Sequence, residues 1–410
     1  MIESDGSIET LPVKNSQTIS AARRHLVFVG GTAEPGGLHI HTADVAQSCA
    51  ALGCRVTILC TSVDYFAALL ADDAVAIEIA HPLGEMSWRH WIRTWRRLCA
   101  DGSRPDIVFL SGKQGDIRII DLIAARLFGH AVYAIVHRPN RAAWTFRRAL
   151  YGVLSAKCLT RFVAVSNEIA ANLIHDFHVP TQKVSTCLNW ANPQFKPSTA
   201  AERIVAREAL GVAPTTILVA YLGRLAPEKR VDALLEAFAS VATESNVAVR
   251  LALFGDGWKR QSLTEMAHAL GIANRTCFYG WSNAPRSALA ACDIFVLPSI
   301  VEGFPLALIE ALAMGCACLA HPMSSAKQLI DSGVHGVLAD LSDHRSFAAA
   351  LRGLIECGPD VRSKMGRAAA ERMAGAFSRV ERLPHVFSAL GLSSGCVPKF
   401  RLRNLEFKNG

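Results

Sequence analysis

The stretch Asp293-Ile294-Phe295-Val296-Leu297-Pro298-Ser299-Ile300-Val301-Glu302-Gly303-Phe304-Pro305-Leu306-Ala307-Leu308-Ile309-Glu310-Ala311 decides the fold. An apolar strand runs into a glycine-containing loop, and a helix follows. Pro305 suits the first helical position, where its missing N–H costs nothing. The remaining free N–H groups of that helix start point back at the loop and form an anion site. Glu302 lies in the loop and Glu310 inside the helix. One short segment thus offers an anion cradle and two hydroxyl acceptors, a combination that fits a sugar attached to a diphosphate.

Working outward, Leu218-Val219-Ala220-Tyr221-Leu222-Gly223-Arg224-Leu225-Ala226-Pro227-Glu228-Lys229-Arg230 reads as a strand, a tight turn and a helix beginning near Val231. Arg224 and Lys229 flank the mouth of the turn. A guanidinium fork and an ammonium point charge suit a leaving diphosphate. Two turn cations alone are more often simply solvated; beside the Glu302/Glu310 segment the balance reverses.

The same alternation fills the chain. In the first half, strands are expected at residues 25–30, 55–60, 106–110, 131–137, 161–165 and 184–188, with helical patterns such as 40–52 and 115–128 between them. In the second half they are expected at 216–221, 248–254, 276–279, 293–297, 317–320 and 336–339, with helices at 231–241, 261–270, 285–291, 305–314, 324–331 and 342–355. Such alternation argues for parallel sheets with helices on both faces. Ligands then belong at the carboxyl ends of the strands. Asn189-Trp190-Ala191-Asn192-Pro193-Gln194-Phe195-Lys196-Pro197-Ser198 is the expected linker, since its prolines and asparagines break regular structure.

From about Arg24 to about Arg382 the chain resembles the retaining GT-B-fold glycosyltransferases of family 4 (glycosyl transferases group 1). The most specific shared pieces are the Glu-x7-Glu segment, Glu302 to Glu310, and Gly223-Arg224-Leu225 with Lys229. Phe254-Gly255-Asp256-Gly257, Phe278-Tyr279-Gly280, Leu297-Pro298-Ser299, Gly36-Gly37 and Val163-Ala164-Val165-Ser166 support them. The resemblance implies an α/β fold of the GT-B type, two doubly wound Rossmann-like domains facing across a cleft. It places an acceptor-binding domain at 23–190, the linker at 191–198, a nucleotide-sugar-binding domain at 199–375, and a helix returning to the first domain at 376–392. Residues 1–22 and 393–410 read as tails.

The resemblance also implies roles. Glu310 would accept hydrogen bonds from the ribose of the nucleotide, where the plain alternative is a helical carboxylate favouring a helix N-terminus. Glu302 would contact a donor-sugar hydroxyl near the anomeric carbon, against a carboxylate simply in solvent. Gly303, Phe304 and Leu306 would offer backbone N–H groups, and Pro305 cannot. Arg224 and Lys229 would hold the diphosphate without a metal, and no Asp-x-Asp triplet is present. Gly223, in the same turn, would belong to the donor-binding residues. Gly36 and Gly37, with Gly30 and Gly31, would let the first-domain backbone approach the donor phosphates through positive φ. His137 would approach the donor sugar, against a satisfied loop histidine. Asp256 reads as a turn-former. The linker departs from the family's Asn-Gly-Val-like turn, which leaves open how it shapes the cleft.

Composition bounds the rest. The chain has 410 residues, 51% of them apolar and 19% charged, which suits two globular domains. No run long and apolar enough to span a bilayer occurs, the first twenty residues lack the order of a signal peptide, and the twelve cysteines are scattered. The expectation is a cytoplasmic protein with reduced thiols. Net charge is +8, and residues 86–161 carry fourteen Lys/Arg against four Asp/Glu. At helical spacing Trp88, Trp91, Ile92, Trp95 and Leu98 share one face, while Arg89, Arg93, Arg96 and Arg97 occupy the others. A basic helix with tryptophans fits an anionic membrane surface holding a lipid-linked acceptor; it equally fits a surface helix whose tryptophans pack on the core. Arg138, Arg141, Trp144, Arg147 and Arg148 add a second basic and aromatic segment. No nucleic-acid-binding motif accompanies the charge.

The expected activity is therefore transfer of a sugar from a nucleotide-sugar to a glycan or lipid-linked acceptor, with no metal and no further cofactor. The expected setting is the cytoplasm, peripheral to the inner face of the membrane. Two alternatives remain at this level: a GT-B enzyme of another reaction type, such as a sugar phosphorylase or a nucleotide-sugar-processing enzyme, and a non-catalytic binding module.

Overall fold

The computed structural model describes residues 24–30, 36–60, 66, 69–70, 75–79, 88–100, 102–113, 116–140, 146–245, 247–282 and 284–392. The expected tails lie outside these residues, as do Gly31, Arg141 and Trp144 and the side chains of Trp88, Trp91 and Arg147.

Two parallel sheets carry the chain. The first contains β1 (His25–Val29), β2 (Arg55–Cys60), β3 (Val75–Ile79), β4 (Asp106–Lys113), β5 (Val132–Arg138), β6 (Arg161–Ala164) and β7 (Val184–Thr186), in the order β3-β2-β1-β4-β5-β6-β7. The second contains β8 (Ile217–Leu222), β9 (Val249–Phe254), β10 (Thr276–Gly280), β11 (Ile294–Leu297), β12 (Ala317–Ala320) and β13 (Val337–Leu338), in the order β10-β9-β8-β11-β12-β13. Strands such as Ile217-Leu218-Val219-Ala220-Tyr221 are apolar at every position because both faces are covered.

The helices of the first half are α1 (Gly37–Ala51), α2 (Trp88–Leu98), α3 (Ile119–Phe128), α4 (Phe146–Cys158) and α5 (Asn167–Ala171). Those of the second are α6 (Ala200–Ala209), α7 (Val231–Ala242), α8 (Arg260–Ala269), α9 (Pro285–Ala291), α10 (Leu306–Ala313), α11 (Ser324–Leu329), α12 (His344–Glu356), α13 (Gly358–Ala374) and α14 (Arg379–Ala389). Side-chain caps fix several starts. Thr199 and Glu202 form a capping box at α6, and Asp343 accepts from the Ser346 amide at 2.7 Å at α12.

Each sheet reverses its winding at one point, between β1 and β4 in the first and between β8 and β11 in the second. The crevice outside the strand ends at such a point is where an open α/β sheet binds ligands. One apolar cluster runs from the first sheet through Trp190, Phe195 and Phe377 into the near face of the second, so the two units share core across the junction. A second cluster lies beneath α7, α8 and α12.

The last helix returns to the first sheet's unit. Arg379 at the start of α14 pairs with Asp44 of α1 at 2.9 Å and donates to the Ser48 hydroxyl at 2.6 Å. Arg24 donates to the carbonyls of Leu390 and Gly391.

Four expectations need correction. β3 is a seventh strand of the first sheet, a short edge strand paired, among the described residues, only to β2. Helices α6 and α13 were not anticipated. Pro305 is the N-cap of α10 rather than its first helical residue: its backbone is extended (φ −76°, ψ 107°), and its carbonyl accepts from the Ile309 amide. Trp95 is fully buried and stacks on Phe128 of α3 with centroids 6.4 Å apart, so it is not part of an outer surface. Arg89, Arg93, Arg96 and Arg97 are exposed.

Candidate functional site

The turn after β8 is built by backbone interlock. Gly223 takes φ +154° and Gly255, at the end of β9, takes φ +139°; a Cβ on Gly255 would overlap the Gly223 carbonyl. Only glycine allows that approach. The Tyr221 hydroxyl donates to the Arg224 carbonyl at 2.7 Å and braces the same turn. Pro227–Lys229 forms a short 3-10 turn that lifts Lys229 over the strand end.

From there Lys229 donates to Glu302, Nζ to Oε1, at 2.5 Å. Glu302 follows β11, the strand paired with β8, so the two residues flank the reversal point of the second sheet. Burial raises the Glu302 pKa, but the Lys229 ammonium and its hydrogen bond lead the effects that outweigh it and hold it below the usual value. Arg224 has its own carboxylate, Glu228, at 2.7 Å, and Arg138 reaches the same oxygen at 3.9 Å. Both turn cations are thus held beside acids.

Glu310 differs. It is the one charged residue in the apolar helix Leu306-Ala307-Leu308-Ile309-Glu310-Ala311-Leu312-Ala313, and it is buried. Burial alone pushes its pKa up to about 8.

The first sheet's unit closes on this loop. A Cβ on Gly303 would overlap the carbonyl oxygen of His137 at the end of β5, so the two backbones touch. Phe304 is buried, and its carbonyl accepts from Asn189 Nδ2 at 3.1 Å. Gly37 faces Leu306, whose Cδ1 would lie 3.2 Å from an added Cβ. Gly36 caps α1 with φ −179°, an extended backbone any residue adopts, so the expected positive φ is absent there; Gly30, at φ 129°, has it.

Behind His137 lies a cluster that sequence reasoning missed. The His41 ring meets His137 edge-on at 5.3 Å and Trp190 at 4.9 Å. Trp190 Nε1 donates to Asp44 at 2.7 Å, and Asp44 also holds Arg379. The linker is therefore pinned by its own tryptophan, where the family has an Asn-Gly-Val-like turn. His41, Asp44 and Ser48 recur at helical spacing, and that buried polar stripe was the available signal. Among the described residues neither ring nitrogen of His41 has a hydrogen-bond partner, nor has His137 Nε2. Burial holds His41 at about 4 and His137 well below its usual value, so both are neutral imidazoles near pH 7.

Asp256 is a turn-former as expected, accepting from the Gly257 amide at 2.7 Å. Among the described residues no group of three or more His, Cys, Asp or Glu could hold a metal ion, no helix is long and apolar enough to cross a membrane, and the cysteines are free.

The second half, residues 202–372, matches the family described as Glycosyl transferases group 1, and residues 35–195 match Glycosyltransferase Family 4. The UDP-Gal:alpha-D-GlcNAc-diphosphoundecaprenol alpha-1,3-galactosyltransferase of Escherichia coli is 29% identical over 244 residues, 57% of this chain and 62% of that protein. The lipopolysaccharide core biosynthesis glycosyltransferase LpsE of Rhizobium meliloti is 30% identical over 183 residues, 44% of this chain and 52% of the relative. The chain thus matches less than two thirds of the length of these relatives. The crystal structure of Anabaena HepE with UDP and glucose superposes with a TM-score of 0.73 at 17% identity, covering 90% of this chain and 99% of that one. With one model matching each half and a two-sheet architecture shared along nearly the whole of a solved relative, the chain belongs to the family 4 glycosyltransferases of GT-B fold.

Proposed function

We propose that this protein transfers a hexose-type sugar from a nucleoside diphosphate donor to an acceptor hydroxyl, with retention at the anomeric carbon. The acceptor is a lipid-linked or envelope-polysaccharide precursor. The observation that carries the reading is the Lys229–Glu302 contact at the reversal point of the second sheet, with the His137 backbone of the first unit against Gly303 in the same loop. The names of the relatives support it, since one carries UDP-galactose and a diphosphoundecaprenol acceptor and a structural neighbour holds UDP with glucose.

In this reading Glu310 accepts the ribose hydroxyls. Lys229 and Arg224 stabilise the diphosphate as it departs, their charge already fixed in place by Glu302 and Glu228. The bond from the anomeric carbon to the phosphate oxygen breaks with its electron pair going to the diphosphate. The acceptor oxygen bonds the same carbon from the same side, and its proton passes to the leaving phosphate oxygen. Glu302 contacts a donor hydroxyl, and its negative charge favours the positive charge that develops on the sugar. His137, neutral, offers a hydrogen bond rather than a charge. In this reading, closure of the two units about the Gly303–His137 contact keeps water from the donor and limits its hydrolysis.

The deciding experiment is thermal stabilisation of the full chain by UDP, GDP, ADP and their sugar conjugates without added metal. Binding to the native state raises apparent stability by mass action. One base should raise the melting temperature, with the shift reduced in Arg224→Ala and Glu310→Ala. A folded sample that responds to none of them would overturn the proposal in favour of a non-catalytic module.

Gly303→Ala tests the closed contact. The new methyl group forces the loop and the His137 strand end apart, and a displacement on the order of 1 Å at a reacting centre costs roughly a hundredfold. We expect kcat/KM to fall by about that factor. Nucleotide-induced stabilisation should largely remain, because the proposed nucleotide contacts lie within the second unit.

A further inference from the structure

Helices α2, α3 and α4 cover the face of the first sheet opposite α1. Each sits in a crossover between parallel strands advancing away from β2, and right-handed crossovers put them on that side. They touch in series: Trp95 stacks on Phe128, and the Tyr151 hydroxyl of α4 donates to the Ile117 carbonyl just before α3 at 2.6 Å.

Two of these helices are apolar on both sides. Inward, α3 buries Leu122 and Ala125, and α4 buries Ala156. Outward, α3 exposes Ile120, Ile123 and Leu127, the last by 68%. Its neighbour α4 exposes Phe146 by 74%, followed by Leu150, Val153 and Leu154. The spacings i, i+3, i+7 and i, i+4, i+7, i+8 make each set one continuous face. Together they leave apolar area on the order of several hundred Å² in solvent, the scale at which a patch marks an interaction site.

The border of this face is cationic. Arg93 and Arg96 of α2, Arg126 of α3 and Lys157 of α4 are exposed around it. Residues 117–160 hold seven Lys/Arg and one acid, Asp121, which is buried and paired with Arg118. A second copy docking here would set two cationic borders against each other. An anionic lipid surface meets both features at once, its phosphates facing the cations and its acyl boundary taking the apolar side chains.

We propose that the outer face of α3 and α4 docks on the anionic leaflet of a bilayer. Trp95 of α2 takes no part in this, since it is committed to the core, and the exposed arginines of α2 supply border charge. This deepens the proposed function, because such a surface brings a membrane-borne acceptor within reach. Vesicle binding is nevertheless read without any transfer reaction, so either idea can fail alone.

The test is co-sedimentation of the full chain with extruded vesicles of pure phosphatidylcholine and of phosphatidylcholine containing about a third phosphatidylglycerol. We expect at least tenfold stronger binding to the anionic vesicles, falling as salt rises. Leu127→Glu/Leu150→Glu should lower that binding at least tenfold at an unchanged melting temperature, since both positions are exposed. Arg93→Ala, Arg96→Ala and Arg126→Ala should each weaken it by about fivefold. Absence of wild-type binding to either vesicle overturns the proposal. So does equal binding by the wild type and the Leu127/Leu150 variant. A dimer that the same variant dissolves, with no vesicle binding, assigns the face to a second copy instead.

Discussion

Glu302→Gln should lower the rate of sugar transfer by about a thousandfold and also cost about 3 kcal/mol of stability, and the two losses have different origins. The rate falls because the amide lacks the charge that balances the developing positive sugar. Stability falls because Lys229, whose side chain is only 15% exposed, is left facing a neutral amide. Removing one member of a buried pair strands the other, whereas removing both often costs little. Lys229→Met/Glu302→Gln should therefore regain most of the lost stability while transfer stays at the level of the single variants or below. A double-mutant cycle by chemical denaturation, run beside kcat/KM for the same proteins, separates the effects. If both single variants denature like the wild type, the 2.5 Å contact contributes nothing to stability. If the double variant transfers sugar, the catalytic role is wrong. The stabilisation of Glu302 should be present above its usual carboxylate pKa and be lost as pH falls below it, because its folded-state value is depressed.

What the sequence showed and what it hid divide along a physical line. Local pattern fixed the strands that end at the site, because β8 and β11 are runs of apolar residues followed by glycine or proline. It also fixed Lys229, Glu302 and Glu310 as neighbours of strand ends. It did not reveal that Lys229 and Glu302 touch, since they are 73 positions apart and the contact follows from β8 pairing with β11. The triad of Trp190, Asp44 and Arg379 was hidden for the same reason, its members lying 146 and 335 positions apart. β3 was missed because Val75-Ala76-Ile77-Glu78-Ile79 is a short edge strand whose pairing lies on one side only. The α2 pattern gave a correct amphipathic helix but not what covers its apolar face. Trp95 turned out to be sealed by Phe128, while the exposed apolar faces of α3 and α4 went unread because their other sides are apolar too.

Glu310→Gln should stabilise the free protein most at alkaline pH and remove from nucleotide binding the pH dependence that Glu310 contributes. Among the described residues the Glu310 carboxyl has no charged partner to offset its burial, and its pKa stands at about 8 against an ordinary 4.5. A raised folded-state value means that the proton is held more tightly in the native state. The stability it contributes is complete below about 4.5 and is lost as pH rises through about 8. The full span corresponds to an amount on the order of a few kcal/mol. The substituted amide cannot ionise, so the variant's melting temperature should exceed that of the wild type at pH 8, with the gap narrowing toward pH 5. Nucleotide reverses the preference. Ribose hydroxyls donate to a carboxylate and favour its ionised form, so binding expels the proton. Between pH 6 and pH 8 the wild-type affinity should rise by up to roughly tenfold per pH unit beyond the change seen in Glu310→Gln, which also reports the ionisation of the phosphates themselves. Titration calorimetry at pH 7 in two buffers of different ionisation enthalpy should show close to one extra proton released by the wild type. Equal proton release by the two proteins would mean that Glu310 stays protonated against the ligand and acts as a donor. The carboxylate–ribose contact would then be discarded, while the role of Lys229 and Glu302 in transfer would stand untouched.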